Sequence, residues 1–258
     1  MNITVATFNL RNNRARDGEN AWALRVDVVA SMFRRTGAQI VGTQEGYVEM
    51  LIELGERLPE FRWIGVGRRG GSEDEFNALF YRGDQVRVQE QGHFWLSETP
   101  EVPGSSSWQS SVPRMCTWAR FAPIAASGGP LMVYNTHLDH QSAQAREQGI
   151  RLICRRIGEF RRQDGLPALL IGDLNASEGS PVLRFLREES GLRDAYSAMA
   201  GAVGRTYHGF SGGVEGDPID HIFATPDVEM TGTMVRRETL DGRYPSDHYP
   251  VVTTARLA

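Results

Sequence analysis

Ala168-Leu-Leu-Ile-Gly-Asp-Leu-Asn175 is the stretch that decides how this chain is read. A short apolar run bounded by a glycine reads as a buried strand rather than as one face of a helix. Gly172 is expected to open a turn. Asp173 and Asn175 are two residues apart and share a face if the backbone stays extended. An aspartate there can orient an attacking water or take its proton. An asparagine can donate to an oxygen that gains charge. The same pair also fits an Asx turn capping the next segment.

Four more places repeat the pattern of an apolar segment running into polar residues. Ile3–Ala6 leads to Thr7-Phe8-Asn9-Leu10, and Gln39–Gly42 leads to Thr43-Gln44-Glu45-Gly46. Leu131–Tyr134 leads to Asn135-Thr-His137-Leu-Asp139-His140, and a last segment leads to Ser246-Asp247-His248. Side chains at strand ends can converge on one rim of a sheet. Hard oxygen ligands mixed with histidine suit a divalent cation and a phosphate. Taken singly, Asn9 also fits a helix cap or turn, and Glu45 fits a first-turn carboxylate. His137 fits a hydrogen-bonded, partly buried imidazole as well as a group that protonates a leaving oxygen or holds a phosphate oxygen. Asp220-His221 and Asp247-His248 are two Asp-His neighbours. A buried aspartate on the far ring nitrogen of a histidine fixes its tautomer and favours its charged form. Arg114, between a proline and a strand, can clamp a phosphate bidentately or lie on the surface. Trp95, Trp108 and Trp118 read as packing residues, although an exposed one can stack on a base or sugar.

Periodicity predicts strands at 3–10, 39–44, 61–66, 77–81, 86–96, 115–121, 131–136, 168–172, 219–224, 228–235 and 251–255. It predicts helices at 22–35, 47–58, 142–162 and 181–188. Some neighbouring strands are joined directly and others through helices, which argues for mixed sheets. Residues 97–113 read as a long loop, and long loops in compact folds are often functional. Linkers, repeats and low-complexity tracts are absent, so residues 1–258 are expected to form one catalytic domain.

The chain has 258 residues, 40% of them hydrophobic and 23% charged, with a net charge of −4. That composition speaks against a protein that coats nucleic acid through a basic surface. The two cysteines, Cys116 and Cys154, have no zinc-ligand spacing and read as buried thiols. No apolar stretch approaches the ~20 residues that span a bilayer. The N-terminus reads as a first strand rather than a leader. The expected location is the cytoplasm, with secretion the alternative if a leader once preceded Met1. Walker, Gly-x-Ser-x-Gly and His-Glu-x-x-His motifs are absent.

In this order and spacing, from Thr7 to Val251, the motifs resemble the endonuclease/exonuclease/phosphatase superfamily. Its members include relatives of pancreatic deoxyribonuclease, apurinic endonucleases, inositol-polyphosphate 5-phosphatases, neutral sphingomyelinases and deadenylases. The stretches NLRNNRARDGENAWALR (9–25), GVGR (65–68), FWLSETPEVPGSSSW (94–108), VPRMCTWARF (112–121) and NTHLDH (135–140) resemble a bacterial subgroup of it. The resemblance implies an α/β fold: a four-layer α/β/β/α sandwich, with two mixed sheets face to face and helices outside. It implies a metal site at Asn9, Glu45 and Asp247, and catalytic roles for His137, Asp173, Asn175, Asp220 and His248. Arg114 is added as a substrate-binding residue. His221 departs from the pattern, since a tyrosine is common after that aspartate. The implied activity is hydrolysis of a phosphate ester with Mg²⁺, Mn²⁺ able to substitute. A phosphodiester, nucleotide or nucleic acid is the first choice of substrate, and a sugar or inositol monoester the alternative. A catalytically silent binding module of the same fold is the rival class. No obligate protein partner is expected.

Overall fold

Alternation along four strands, with apolar residues on both faces, builds the layers. The computed structural model describes residues 2–125, 128–199 and 201–257. Its elements run β1 (Asn2–Asn9), α1 (Trp22–Thr36), β2 (Ile40–Gln44), α2 (Val48–Arg57), β3 (Phe61–Ile64), β4 (Leu79–Arg82), β5 (Val86–Trp95) and β6 (Met115–Pro123). They continue with β7 (Leu131–His137), α3 (Ala143–Asp164), β8 (Ala168–Asp173), α4 (Pro181–Arg184), β9 (Arg193–Asp194), β10 (Asp220–Ala224), β11 (Val228–Val235) and β12 (Val251–Leu257). One sheet has the order β11-β12-β1-β2-β4-β3, the other β5-β6-β7-β8-β10-β9. Each holds a parallel pair, β1 with β2 and β7 with β8. Parallel neighbours need a crossover, which α1 and α3 supply. The result is the expected four-layer sandwich of two mixed sheets with helices outside.

Three apolar layers hold it. Ile3, Val5, Val133, Leu169 and Ile171 meet between the sheets. Ala6, Phe8 and Val41 face α1 and α2, where Phe33 stacks edge-on against Phe61 and Phe80. Met132, Tyr134 and Leu170 face α3 and α4. Each fully buried apolar side chain contributes about 1.5–3 kcal/mol, so the strand ends are anchored firmly enough to carry strained or charged residues.

The face between the sheets explains where the polar motifs fall. Along β1 it carries Ile3, Val5, Thr7 and Asn9, along β7 Leu131, Val133, Asn135 and His137, and along β8 Leu169, Ile171 and Asp173. The apolar residues come first. A polar lock follows: Gln44 Nε2 donates to Asn135 Oδ1 (2.7 Å) and Thr7 Oγ1 (3.1 Å), and Asn135 Nδ2 donates to the carbonyls of Thr43 and Ala78 (both 2.9 Å). Buried polar groups are tolerated when paired, and this network joins the two sheets. One step further along the same face come Asn9, His137 and Asp173.

Four details differ from the sequence expectation. Gly172 lies inside β8, opposite Thr136 and His221, and opens no turn. Its φ of 149° and a Cβ position only 2.0 Å from the Thr136 carbonyl oxygen leave room for glycine alone. Ser246–His248 precede β12 in irregular chain rather than ending a strand. The helix at Pro181 passes into a π-turn at Phe185–Glu189, and the two-residue β9 carries too little pattern to be predicted. Among the described residues no helix is long and apolar enough to cross a membrane.

Candidate active site

Asp173 ends β8, and Asp220, the first residue of β10, pairs with it in register. His248 joins them from the segment before β12. Its Nδ1 lies 2.9 Å from Asp220 Oδ2, and its Nε2 lies 3.9 Å from Asp173 Oδ2. His137 Nε2 reaches the same Asp173 oxygen at 3.5 Å, and Asn9 Nδ2 donates to it at 3.0 Å. Burial and the neighbouring Asp220 push the Asp173 carboxyl up. Burial works against a charged His248, but Asp220 and Asp173 outweigh it and raise its pKa to about 10. Burial, with Arg114 and His248 nearby, holds His137 well below the ordinary histidine range. The two imidazoles are therefore distinct near neutrality: His248 is a charged donor and His137 is neutral.

Asp173, Asp220 and His248 each offer a ligand atom within 4.8 Å of the others. The close His248 Nδ1–Asp220 Oδ2 contact makes this group an acid–base cluster as well as a candidate cation site. Glu45 is better suited to a metal. It stands just past β2 in left-handed backbone (φ 63°). Oε1 accepts from Asn9 Nδ2 (2.9 Å), and Oε2 accepts from Asn12 Nδ2 (2.8 Å) and the Asn12 N–H (3.2 Å). Burial opposes its ionisation, but His248 and these donors outweigh burial and lower its pKa. Asp247 moves the other way, raised by burial and by the negative charge of Glu45 despite His248 and Arg11. Two carboxylates that repel across a polar cavity, with lone pairs to spare, fit a hard divalent cation. Asn9, expected at the metal site, lies directly beside Glu45. Its oxygen accepts from the Arg11 N–H (3.0 Å), and its nitrogen faces Glu45 and Asp173, so it ties the two carboxylates together.

Around these groups lies a cavity of about 390 Å³, lined by Arg11, Asn12, Glu45, Arg68, Glu75, Val112, Arg114, His137, His140, Asp173, Asn175, Tyr207, Ile219, Asp247 and His248. Three of these residues, Arg11 (φ 54°), Glu45 and Asn175 (φ 46°), are non-glycines in left-handed backbone. Such strain costs on the order of 1 kcal/mol each and gathers at functional sites. Asn175 Nδ2 donates to the Leu138 carbonyl (3.0 Å), which leaves its second N–H free. Asn175 also gives its backbone N–H to Asp173 Oδ1 (2.9 Å), so the expected Asx turn is present as well. Arg114 is buried. Nη2 donates to His140 Nδ1 (3.0 Å), and its Nε makes no hydrogen bond but lies 3.8 Å from Asp139 Oδ2.

Asp139 holds this wall in place. Its Oδ2 accepts from Ser110 Oγ, Ser111 N and Ser111 Oγ, and its Oδ1 from the N–H groups of Gln141 and Ser142 at the start of α3. One carboxylate thus joins the 97–113 loop, Arg114 (3.8 Å) and α3. Burial disfavours its charge, but the donors from Ser111, Ser142 and Gln141 outweigh burial and keep it below the ordinary carboxylate range. A folded-state pKa below the unfolded one gives stability that is present above the unfolded value and lost as pH falls through the folded one. Asp139→Asn is expected to lower unfolding free energy by about 1–3 kcal/mol at neutral pH. The gap from wild type should shrink in acid. Denaturant titrations at the two pH values measure it, and an equal gap at both contradicts the ionic role.

Arg25 escaped the sequence reading. It is the largest fully buried side chain, on α1, and donates to four carbonyls: Asn20, Leu10, Pro245 and Arg11. It stitches the loop after Asn9 to the segment that delivers Asp247 and His248. Its only signal in the sequence was an arginine on the apolar side of α1, between Trp22 and Val26. Arg25→Met should lower kcat by ten-fold or more, since misplacing site groups by about 1 Å can cost ~10²-fold. Arg25→Lys should recover part of it. Steady-state kinetics with thermal melts separate this from simple unfolding.

The structure therefore brings Glu45, His137, Asp173, Asn175, Asp247, His248 and Arg114 to one cavity, with Asn9 and Asp220 directly behind. His221 stays apart, its Nε2 near the carbonyls of Ala176 and Pro218 and its ring against Tyr196. Trp95 is a packing residue whose Nε1 donates to the Arg68 carbonyl, and Trp108 and Trp118 pack against the core under α3.

A model described as Endonuclease/Exonuclease/phosphatase family matches residues 6–248. No curated protein matches the chain. Among solved structures, an endonuclease/exonuclease/phosphatase family protein from Bacteroides thetaiotaomicron is 33% identical with a TM-score of 0.94, covering 100% of this chain and 98% of that one. A mannosyl-6-phosphatase from Bacteroides thetaiotaomicron VPI-5482 is 34% identical with a TM-score of 0.94, covering 99% and 100%. An endonuclease/exonuclease/phosphatase from Bacteroides vulgatus is 34% identical with a TM-score of 0.92, covering 100% of both chains. A match over nearly the whole sequence, on a fold whose polar strand ends meet in one cavity, establishes that this chain belongs to the endonuclease/exonuclease/phosphatase family.

Proposed function

We propose that the protein is a divalent-metal-dependent phosphoester hydrolase, that residues 1–258 act as one catalytic domain, and that the preferred substrate is the phosphate monoester of a sugar. The observation that carries this is Arg114: a buried guanidinium whose Nε makes no hydrogen bond, in the same cavity as His137, Asn175 and the Asp173–His248 pair. An anion with several oxygens fits it best. A cation such as Mg²⁺, replaceable by Mn²⁺ and held by Glu45 and Asp247, would polarise the phosphoryl oxygens and help ionise water. Arg114, neutral His137 and the free Asn175 N–H hold the phosphate oxygens. Asp173 orients the water that attacks phosphorus. His248, kept charged by Asp220, stabilises the charge that develops. Asn9 fixes Glu45 and Asp173 relative to each other.

A cavity of about 390 Å³ suits a sugar phosphate, being near the lower end of small-molecule sites. A net charge of −4 gives little of the broad positive field that duplex binding uses. The likeness to a mannosyl-6-phosphatase at 34% identity supports the monoester reading. Phosphodiesters, which the strand-end motifs serve equally well, are the second reading. Release of inorganic phosphate should be assayed on hexose 6-phosphates, inositol phosphates and nucleoside monophosphates, release of the phenol on an aryl phosphodiester, and strand cleavage on single-stranded DNA, each with Mg²⁺ or Mn²⁺. The expected result is the highest kcat/KM on a hexose 6-phosphate. A diester or DNA turned over faster than every monoester rejects the monoester preference.

A further inference from the structure

Among the carboxylates lining the cavity, Glu75 has no part in the hydrolytic chemistry. Glu75 ends a tight loop after β3. Gly67 N–H donates to the Gly71 carbonyl, Arg68 N–H to the Glu75 carbonyl, and Phe76 N–H to the carbonyl of Gly46, next to Glu45. A Cβ on Gly67 would fall 2.0 Å from the Glu73 carbonyl oxygen, so this loop closes only around glycine. Trp95 Nε1 donates to the Arg68 carbonyl (2.6 Å). The loop is thereby fixed to both sheets.

Both terminal nitrogens of Arg68 are engaged, while its Nε makes no hydrogen bond. Nη2 meets Asp74 Oδ1 at 2.9 Å and Nη1 meets Glu75 Oε2 at 2.7 Å. Asp74 and Glu75 hold its terminal nitrogens, whereas the terminal nitrogens of Arg114 meet no carboxylate, which favours Arg114 as the phosphate ligand. Glu75 Oε1 accepts no hydrogen bond among the described residues, and the side chain lines the cavity with Arg114 and Tyr207. A carboxylate beside the seat of a phosphate dianion repels that dianion. It favours binding only where it meets a different part of the substrate. Its free oxygen accepts hydrogen bonds, so the complementary group is a hydrogen-bond donor, which in a sugar phosphate is a hydroxyl. Burial pushes the Glu75 carboxyl up to about 7, against the pull of Arg68, as expected for a half-enclosed group aimed at a ligand.

We infer that Glu75, braced by Arg68, is the specificity residue of this cavity and accepts hydrogen bonds from hydroxyls of the substrate's polyol part. This rests on the phosphomonoester reading and adds the residue that separates a sugar phosphate from a plain alkyl phosphate. A site that hydrogen-bonds a hydroxyl discriminates strongly against analogues lacking it.

The test compares a hexose 6-phosphate with hexyl phosphate, a chain of similar length without hydroxyls. The wild type, Glu75→Ala and Glu75→Gln are assayed for kcat and KM on both esters, and for binding of both by isothermal titration. The wild type is expected to favour the hexose ester. In Glu75→Ala that preference should fall about ten-fold or more, chiefly through a higher KM for the hexose ester. Glu75→Gln, which keeps an acceptor oxygen, should retain part of it. Equal losses on both esters would make Glu75 only a brace for Arg68 and overturn the inference. If neither ester is hydrolysed but the hexose ester binds better through Glu75, the hydrolase reading fails and the hydroxyl subsite stands. If neither binds, both are overturned.

Discussion

Chelation of divalent cations is expected to bring hydrolysis down to the uncatalysed background, and Glu45→Gln to come close to it with metal present. Glu45 remains ionised in spite of burial because Asn9, Asn12 and His248 stabilise its charge. It sits in left-handed backbone that only the surrounding packing sustains. The glutamine variant keeps the shape and removes the charge a hard cation needs. Metal assistance contributes several kcal/mol to such transition states. At about 1.4 kcal/mol per factor of ten, a loss on the order of 10³ follows. Melting temperature should hardly change. Full activity of the wild type after exhaustive chelation, or of Glu45→Gln, would remove the metal from the account.

Loss of Asp173 or His248 is expected to cost on the order of 10²–10⁴ in kcat, the usual range for a positioned acid–base group. The two variants should differ in stability. Asp173 is a buried carboxylate beside Asp220, and its raised pKa means that the fold disfavours its charge. Asp173→Asn should therefore melt at or above the wild-type temperature while losing turnover, the trade expected of a functional strain. His248→Ala leaves Asp220 buried without its cation, and one Asp220 oxygen, Oδ1, already lacks a partner. That variant should melt lower. The double variant should be no slower than the worse single one, because the two groups act as a unit. Fully multiplicative losses would assign them to separate steps.

The fold was legible where one strand carries two apolar faces. Ile3, Val5, Ala6 and Phe8, or Leu169, Leu170 and Ile171, can be satisfied only inside layers. The site was legible because β1, β7 and β8 continue that alternation into Asn9, His137 and Asp173. Legibility ended where the partner lies far along the chain. Arg25 reaches the Pro245 carbonyl across 220 positions, and no local pattern marks such a clamp. Ser246–His248 follow no strand and are placed by contacts such as Ser246 Oγ to the Asn9 carbonyl (2.7 Å). Asp139 sits two residues past His137 in the same motif but organises the 97–113 loop, because its acceptors meet serines nearly thirty residues upstream. Which atom of the Asn9 amide faces the carboxylates depends on the Arg11 N–H, a detail of one backbone turn.

The central claim is that this cavity brings a divalent cation and a phosphate together. The most direct measurement is a crystal structure of Asp173→Asn grown with Mn²⁺ and a hexose 6-phosphate, with manganese located by its anomalous signal. The account predicts manganese on the Glu45 carboxylate and the phosphate between Arg114 and His248. Manganese bound away from Glu45, or an ordered phosphate outside the contacts of Arg114 and His248, would contradict it.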